Sequence, residues 1–287
     1  MASKIVVIGS VAWDEVVELD RPLQSGGHNQ GRMRGRRIGG GAANTALALI
    51  RGGNEVVVRS AIGGDSQGGE LLTALSREGI DVCWIDDSAS ATTRSLLLLD
   101  PAGGRTIVNL SRASLPVTAP LGEQNTACVY LRSTDTAFAP VLRECLDQAL
   151  VIAHIPPLTA GSRPAHILVG SADDLDAGFL AEPWRSARAV AGEKLRWVVV
   201  TNGAEGASAY SGEQVLRLPA PRVRVVDTTG AGDVFAAGLI HALVRDEPME
   251  RALRCAVEWG AASVQYHGTI PPIGFPDIRN SADWQEV

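Results

Sequence analysis

Cysteine is scarce in this chain. The 287 residues include four, Cys83, Cys128, Cys145 and Cys255, and no pair has CxxC spacing. The five histidines are equally dispersed, so a zinc site is not expected. The cysteines read as reduced, mostly buried thiols. No apolar run reaches the length that spans a bilayer, so no membrane partner is expected. The opening Met-Ala-Ser-Lys passes straight into an apolar strand without the h-region of a secretory signal, and the cytoplasm is the expected location. Basic excess is missing as well: 26 Lys and Arg stand against 32 Asp and Glu, for a net charge of -6 and a pI of about 5.4. That balance argues against a nucleic-acid partner. The run Arg32, Arg34, Arg36, Arg37 is the local exception, either a solvated hairpin face or positive charge beside an anionic substrate. Three nucleotide motifs are absent: the Walker A string, the protein-kinase signature set and a strand–GxGxxG–helix unit.

Hydrophobic residues at 45% and charged residues at 20% suit an ordered chain with a sizeable core. The length fits one large domain, residues 1–287, with a small appendage. Apolar runs at 5–8, 56–58, 151–153, 167–169 and 198–200 read as strands buried on both faces. Helical spacing appears between them at 42–51, 68–78, 179–191 and 249–266. The expected fold class is therefore α/β, with helices on both sides of a mainly parallel central sheet. Two segments break the rhythm, 12–37 and 92–111. The second reads as two strands, 94–99 and 106–110, about the turn Asp100-Pro-Ala-Gly-Gly104. Together they are expected to form antiparallel strands outside the main sheet, as a small β-sheet lid.

The sharpest chemistry lies at Val225-Val-Asp-Thr-Thr-Gly-Ala-Gly-Asp233. A strand end at 223–226 is expected to meet a turn of small residues, and a helix begins near Gly230 with Phe235, Leu239, Ile240 and Leu243 as its apolar stripe. Gly230, Ala231 and Gly232 keep side chains off that helix N-terminus. Free N–H groups and the positive end of the helix dipole there suit a phosphate. Asp233, in the first turn, is placed to accept a proton from an attacking alcohol. The alternative is a glycine-rich turn in which Asp233 merely caps. A second glycine run, Ile38-Gly-Gly-Gly-Ala-Ala-Asn44, lets the backbone approach a ligand closely, and Asn44 offers both donor and acceptor to a hydroxyl.

These two strings resemble the C-terminal and N-terminal signatures of the ribokinase-like (PfkB) carbohydrate kinases, and the resemblance covers nearly the whole chain. It implies a three-layer α/β/α sandwich with a β-sheet lid, ATP and Mg2+ as cofactors, and a small-molecule sugar substrate. It also implies Asp233 as catalytic base beside an anion hole at Gly230, Ala231 and Gly232. Val7-Ile-Gly-Ser-Val-Ala-Trp-Asp14 resembles the opening strand whose Asp binds substrate hydroxyls, so Asp14 inherits that role with Gly40, Gly41 and Asn44. Gly63 to Gly68, with Asp65, resembles a structural turn. Thr201-Asn-Gly203-Ala-Glu-Gly206, Thr228 and Gly268 resemble the nucleotide-binding positions. Asp227 and Thr229 match the positions that hold a monovalent cation, K+, in potassium-activated members. Pairing of two lids implies a homodimer.

Three departures bear on specificity. Ser171 and Asp174 stand where an N-x-x-E motif usually orders water around magnesium, so Asp174 reaches less far toward the metal. Gly41 stands where Lys or Asn is frequent. Gly104-Arg105-Thr106-Ile107 resembles a lid segment of ketohexokinase-like members, and Leu131-Arg132 resembles a substrate-side arginine position in that branch and in sulfofructose kinases. Arg94, Arg105 and Arg132 are expected to converge on an anionic group. A ketose or an anionic sugar is the leading substrate class, with ribose or a nucleoside as the alternative. A non-catalytic sugar or nucleotide sensor on the same fold is the rival of another kind.

Overall fold

The computed structural model describes residues 4–101, 105–117 and 125–271. Gly104 and the rest of its turn at 102–104 lie outside the described residues. Strand β1 (Lys4–Gly9) shows how the core is built. Its side chains alternate, so Ile5 and Val7 enter one apolar cluster and Val6 and Ile8 the other. Both faces of the sheet are covered, which is why its strands read as unbroken apolar runs.

The main sheet also holds β4 (Val56–Gly63), β5 (Ile85–Ala89), β8 (Thr126–Arg132), β9 (Leu150–His154), β10 (Ile167–Ser171) and β11 (Trp197–Thr201). A hairpin, β12 (Ala207–Tyr210) and β13 (Val215–Leu218), closes one edge. The order is β13-β12-β11-β10-β9-β8-β1-β4-β5. Pairings from β11 to β5 are parallel. Those of β12 and β13 are antiparallel. The chain leaves β1 outward through β4 and β5, then returns to the other flank of β1 with β8. That reversal opens a crevice beyond the carboxyl ends of β1 and β8, the usual place for a ligand in an open α/β sheet.

Helices α1 (Gly41–Arg51), α2 (Ser66–Arg77), α6 (Ala231–Leu243) and α7 (Met249–Ser263) pack on one face. Helices α3 (Ala139–Cys145), α4 (Ala177–Ala181) and α5 (Pro183–Ala191) pack on the other. Close approach of α6 to α7 requires Gly238, where a Cβ would lie 2.9 Å from the Cys255 carbonyl oxygen. A second, four-stranded sheet stands apart, in the order β3-β2-β6-β7. It comprises β2 (Ala12–Leu19), β3 (Gly31–Gly39), β6 (Arg94–Leu99) and β7 (Arg105–Ser111). Among the described residues, no helix is long and apolar enough to cross a membrane.

Three local expectations need correction. The small sheet is not wholly antiparallel, because β2 and β6 run parallel. The helix expected over 179–191 is two helices, since Pro183 lacks an N–H and begins α5 instead of continuing α4. No strand forms at 223–226. The N–H groups of Val226 and Asp227 both donate to the Val264 carbonyl beyond α7, and Val225 remains 60% exposed.

Candidate active site

A cleft of about 1200 Å³ opens at the switch point. On one side stands the N-terminus of α6. Gly230 precedes it in the left-handed conformation (φ 78°), which a glycine adopts without strain. The Ala231 N–H donates to Thr228 O at 3.3 Å and the Asp233 N–H to Gly230 O at 2.9 Å. Among the described residues, the Gly232 N–H has no such acceptor. A Cβ at Gly232 would meet nothing within 4 Å, so the space beside this residue is open. Of the three expected anion-hole residues, Gly230 and Gly232 are the two whose N–H donors have no such acceptor among the described residues.

Helix α1 brings its own N-terminus to the same point. Asn44 Nδ2 donates to Asp233 Oδ2 at 3.0 Å, and Thr45 Oγ1 donates to the Asp233 carbonyl at 3.3 Å. Asn44 Oδ1 is buried without a partner. Asp14 enters from β2, and its carboxylate lies over the backbone of Gly39. A Cβ there would fall 2.1 Å from Asp14 Oδ2, so only glycine permits this contact. Burial raises the Asp14 carboxyl from 3.8 to about 6; Arg37 opposes that shift and Asp233 adds to it. Gly40 (φ 90°) lets the chain turn into α1 against Ser10.

The expected arginine cluster forms only in part. Arg105 and Arg132 line the cleft. Arg94 does not, because its Nε donates to Glu15 Oε1 at 3.0 Å. Arg132 holds the expected base directly, with Nε 2.9 Å from Asp233 Oδ1. Burial works against its charge, but Asp233, Tyr130 and Asp174 together outweigh burial and raise its pKa. The space for its side chain comes from Gly41, where a Cβ would lie 2.6 Å from Arg132 Cγ. The missing side chain at 41 is thus replaced, in space, by an arginine from β8.

Sequence reasoning missed four groups. Gly39 was legible in part, as the first of three glycines. Arg112 and Arg222 line the cleft but carry no motif. Arg163 is fully buried and donates to the carbonyls of Ser133, Asp135, His154 and Ser162. It fastens the loop after β8 that lines the cleft, and nothing in the sequence marks it. The segment with Asp65 is structural: Asp65 caps α2 through Gly68 N and accepts from the Thr92 hydroxyl at 2.7 Å and N–H at 3.1 Å.

Thr201, Gly203, Gly206 and Thr228 line the far part of the cleft. Gly268 does not line it; its N–H donates to Asp227 Oδ2 at 3.1 Å. Ser171, Asp173 and Asp174 also face the cleft. Among the described residues there is no cluster of three or more metal-binding side chains. Magnesium beside a nucleotide needs only one or two carboxylates, with phosphate and water as the other ligands. Asp174 and Asp173 meet that demand.

At Asp227 the expected monovalent-cation site is already taken by protein donors, while Thr229 Oγ1 is buried without a partner among the described residues. Asp227 Oδ1 accepts from Thr229 N at 2.8 Å, and Oδ2 accepts from Arg37 Nη1 at 3.0 Å as well as from Gly268. Burial raises this carboxyl, but the Thr229, Gly268 and Arg37 donors outweigh it and hold it at about 2. The oxygens face N–H groups and a guanidinium. A second cation there would repel Arg37 by about 4 kcal/mol at about 4 Å and an effective dielectric of about 20.

The chain matches the sequence profile of the pfkB family carbohydrate kinases over residues 2–275. It is 29% identical over 277 residues to the aminoimidazole riboside kinase of Salmonella typhimurium, covering 85% of this chain and 86% of that one. It is 30% identical over 283 residues to a fructokinase of Klebsiella pneumoniae, covering 85% of each. Its fold superposes on Arabidopsis thaliana ribokinase complexed with ribose and ATP with a TM-score of 0.79, at 22% identity and 97% coverage of both chains. Matched over nearly its whole length, the chain belongs to the pfkB family of carbohydrate kinases, phosphotransferases that use ATP and act on an alcohol group.

Proposed function

We propose that the protein phosphorylates a hydroxymethyl group of a sugar, with a ketose or an anionic sugar as the favoured class. The observation that carries this reading is Asp233 itself: a buried carboxylate in the first turn of α6, held from two sides by Asn44 and Arg132, beside the Gly232 N–H. The substrate hydroxyl gives its proton to Asp233 as its oxygen bonds to the γ-phosphorus of ATP. The bond from that phosphorus to the bridging oxygen breaks, and ADP leaves. Gly232 N–H and the α6 dipole face the charge that develops on the phosphoryl oxygens. Asp14 and Asn44 Oδ1 are acceptors for the sugar's other hydroxyls. Asp174 and Asp173 would hold magnesium, which when bound would neutralise charge on the phosphates.

Arg105, Arg112 and Arg132 on the cleft wall favour an anionic substrate. A ribose or nucleoside acceptor is the second reading, favoured by the similarity to an aminoimidazole riboside kinase. The outer face of the small sheet, with exposed Met33, Val108 and Leu110, supports a homodimer through that sheet. The test is ADP formation across ketoses, sugar phosphates, ribose and nucleosides with ATP and magnesium. We expect a ketose or an anionic sugar to drive ADP formation. A response confined to nucleosides selects the second reading, and bound ATP without turnover on any acceptor selects the sensor.

A further inference from the structure

Arg37 sits where three parts of the fold meet. It lies near the end of β3, directly opposite Asp14 in the β2–β3 register, so both side chains leave the same face of the small sheet. Its Nη1 reaches Asp227, which is 190 residues away in sequence and immediately precedes the anion-binding turn. Gly268 packs close by, and a Cβ on it would meet Arg37 Nη1 first, at 3.8 Å. The Asp227 side chain is 8% exposed and that of Arg37 20%. Arg32, Arg34 and Arg36 instead turn outward; Arg34 pairs with Glu18, and Arg36 with Glu70. Only one member of the arginine run is drawn inside. A guanidinium keeps its charge at any pH the protein meets.

We propose that Arg37 is a built-in cation, delivered by the small sheet to Asp227 in place of a monovalent metal ion, and that the protein is therefore independent of potassium. Asp227 carries a negative charge three residues before Gly230, where it would oppose incoming phosphate. Arg37 neutralises it and fixes the turn that presents Gly232. Arg37 touches neither the transferred group nor Asp233, so it is a positioning residue that acts through Asp227. Because β3 belongs to the small sheet, the same ion pair ties that sheet to the turn before α6. The inference rests on reading this turn as the phosphate-binding element.

The test compares the full-length protein in potassium, sodium and tetramethylammonium chloride at equal ionic strength. Thermal melting is read without nucleotide, and affinity for magnesium–ATP by calorimetry. Neither readout needs the sugar, so failure of the substrate assignment cannot be mistaken for failure here. The wild type is expected to show equal melting temperature and equal ATP affinity in all three salts. Arg37→Ala is expected to bind ATP at least about tenfold more weakly in tetramethylammonium, with recovery on adding potassium or free guanidinium, a cation entering the vacated place. Arg37→Lys, which keeps a charge, stays insensitive to potassium. A saturable, potassium-selective rise in wild-type stability or ATP affinity would overturn the proposal, and this arm stands even where the variants do not fold. An Arg37→Ala protein that responds to neither potassium nor guanidinium would overturn it as well.

Discussion

At the scale of single residues, the site depends on close contacts that only particular side chains allow. Asp14 rests on Gly39, and Arg132 rests on Gly41. Gly39→Ala should displace Asp14 and raise KM for the acceptor while leaving ATP affinity intact. Gly232→Ala should behave differently. Its new methyl group meets no protein atom, so melting temperature should hold. The methyl crowds the helix N-terminus that would receive the phosphate, and turnover should fall at least about tenfold, less than the loss of about 10²–10³ seen when such a donor is removed outright. Asp14 sets a pH dependence. Its carboxyl rises from 3.8 to about 6 in the fold, chiefly through burial. Between those values the folded protein holds a proton that the unfolded chain has released. The group's contribution to stability is therefore greatest at low pH and falls as pH rises to about 6. Acceptor binding has the opposite sign, since the ionised form accepts hydroxyl hydrogen bonds. The kcat/KM for the acceptor should decline as pH drops below about 6, and Asp14→Asn should remove that limb of the profile.

At the scale of elements, periodicity and glycine punctuation made most of the architecture readable. The apolar runs became β1, β4, β9, β10 and β11, because a strand buried on both faces has nowhere to place a polar residue. The N-termini of α1 and α6 were readable from their glycines. What was not readable involved partners distant in the chain. The Val226 and Asp227 N–H groups could have joined a strand, but they bond Val264 instead. Arg94 resembled a substrate arginine until Glu15, its near neighbour across the β2–β6 pair, took it. Arg132 was placed in the site by motif, yet its grip on Asp233 depends on space left 91 residues earlier by Gly41. Asp65 shows an element held by one side chain, which caps α2 and anchors Thr92 before β6. Asp65→Ala should lower stability by about 1 kcal/mol or more, measured by denaturant unfolding, as loss of an N-cap does.

At the scale of the whole molecule, two sheets of unlike character enclose one cleft. The main sheet supplies the rigid floor. The small sheet supplies Asp14 and Arg105, and it presents exposed Met33, Val108 and Leu110 on its own surface. If two copies cover those faces, Leu110→Lys or Met33→Asp should convert a dimer to a monomer in sedimentation velocity without unfolding the subunit. The central claim is that Asp233 is the base of a phosphoryl transfer. The most direct measurement is acceptor-dependent ADP formation by wild type and Asp233→Asn, with ATP binding by calorimetry on both. The account predicts a loss of turnover of at least about 10²-fold in the variant with ATP affinity retained. Near-normal turnover by Asp233→Asn would contradict it.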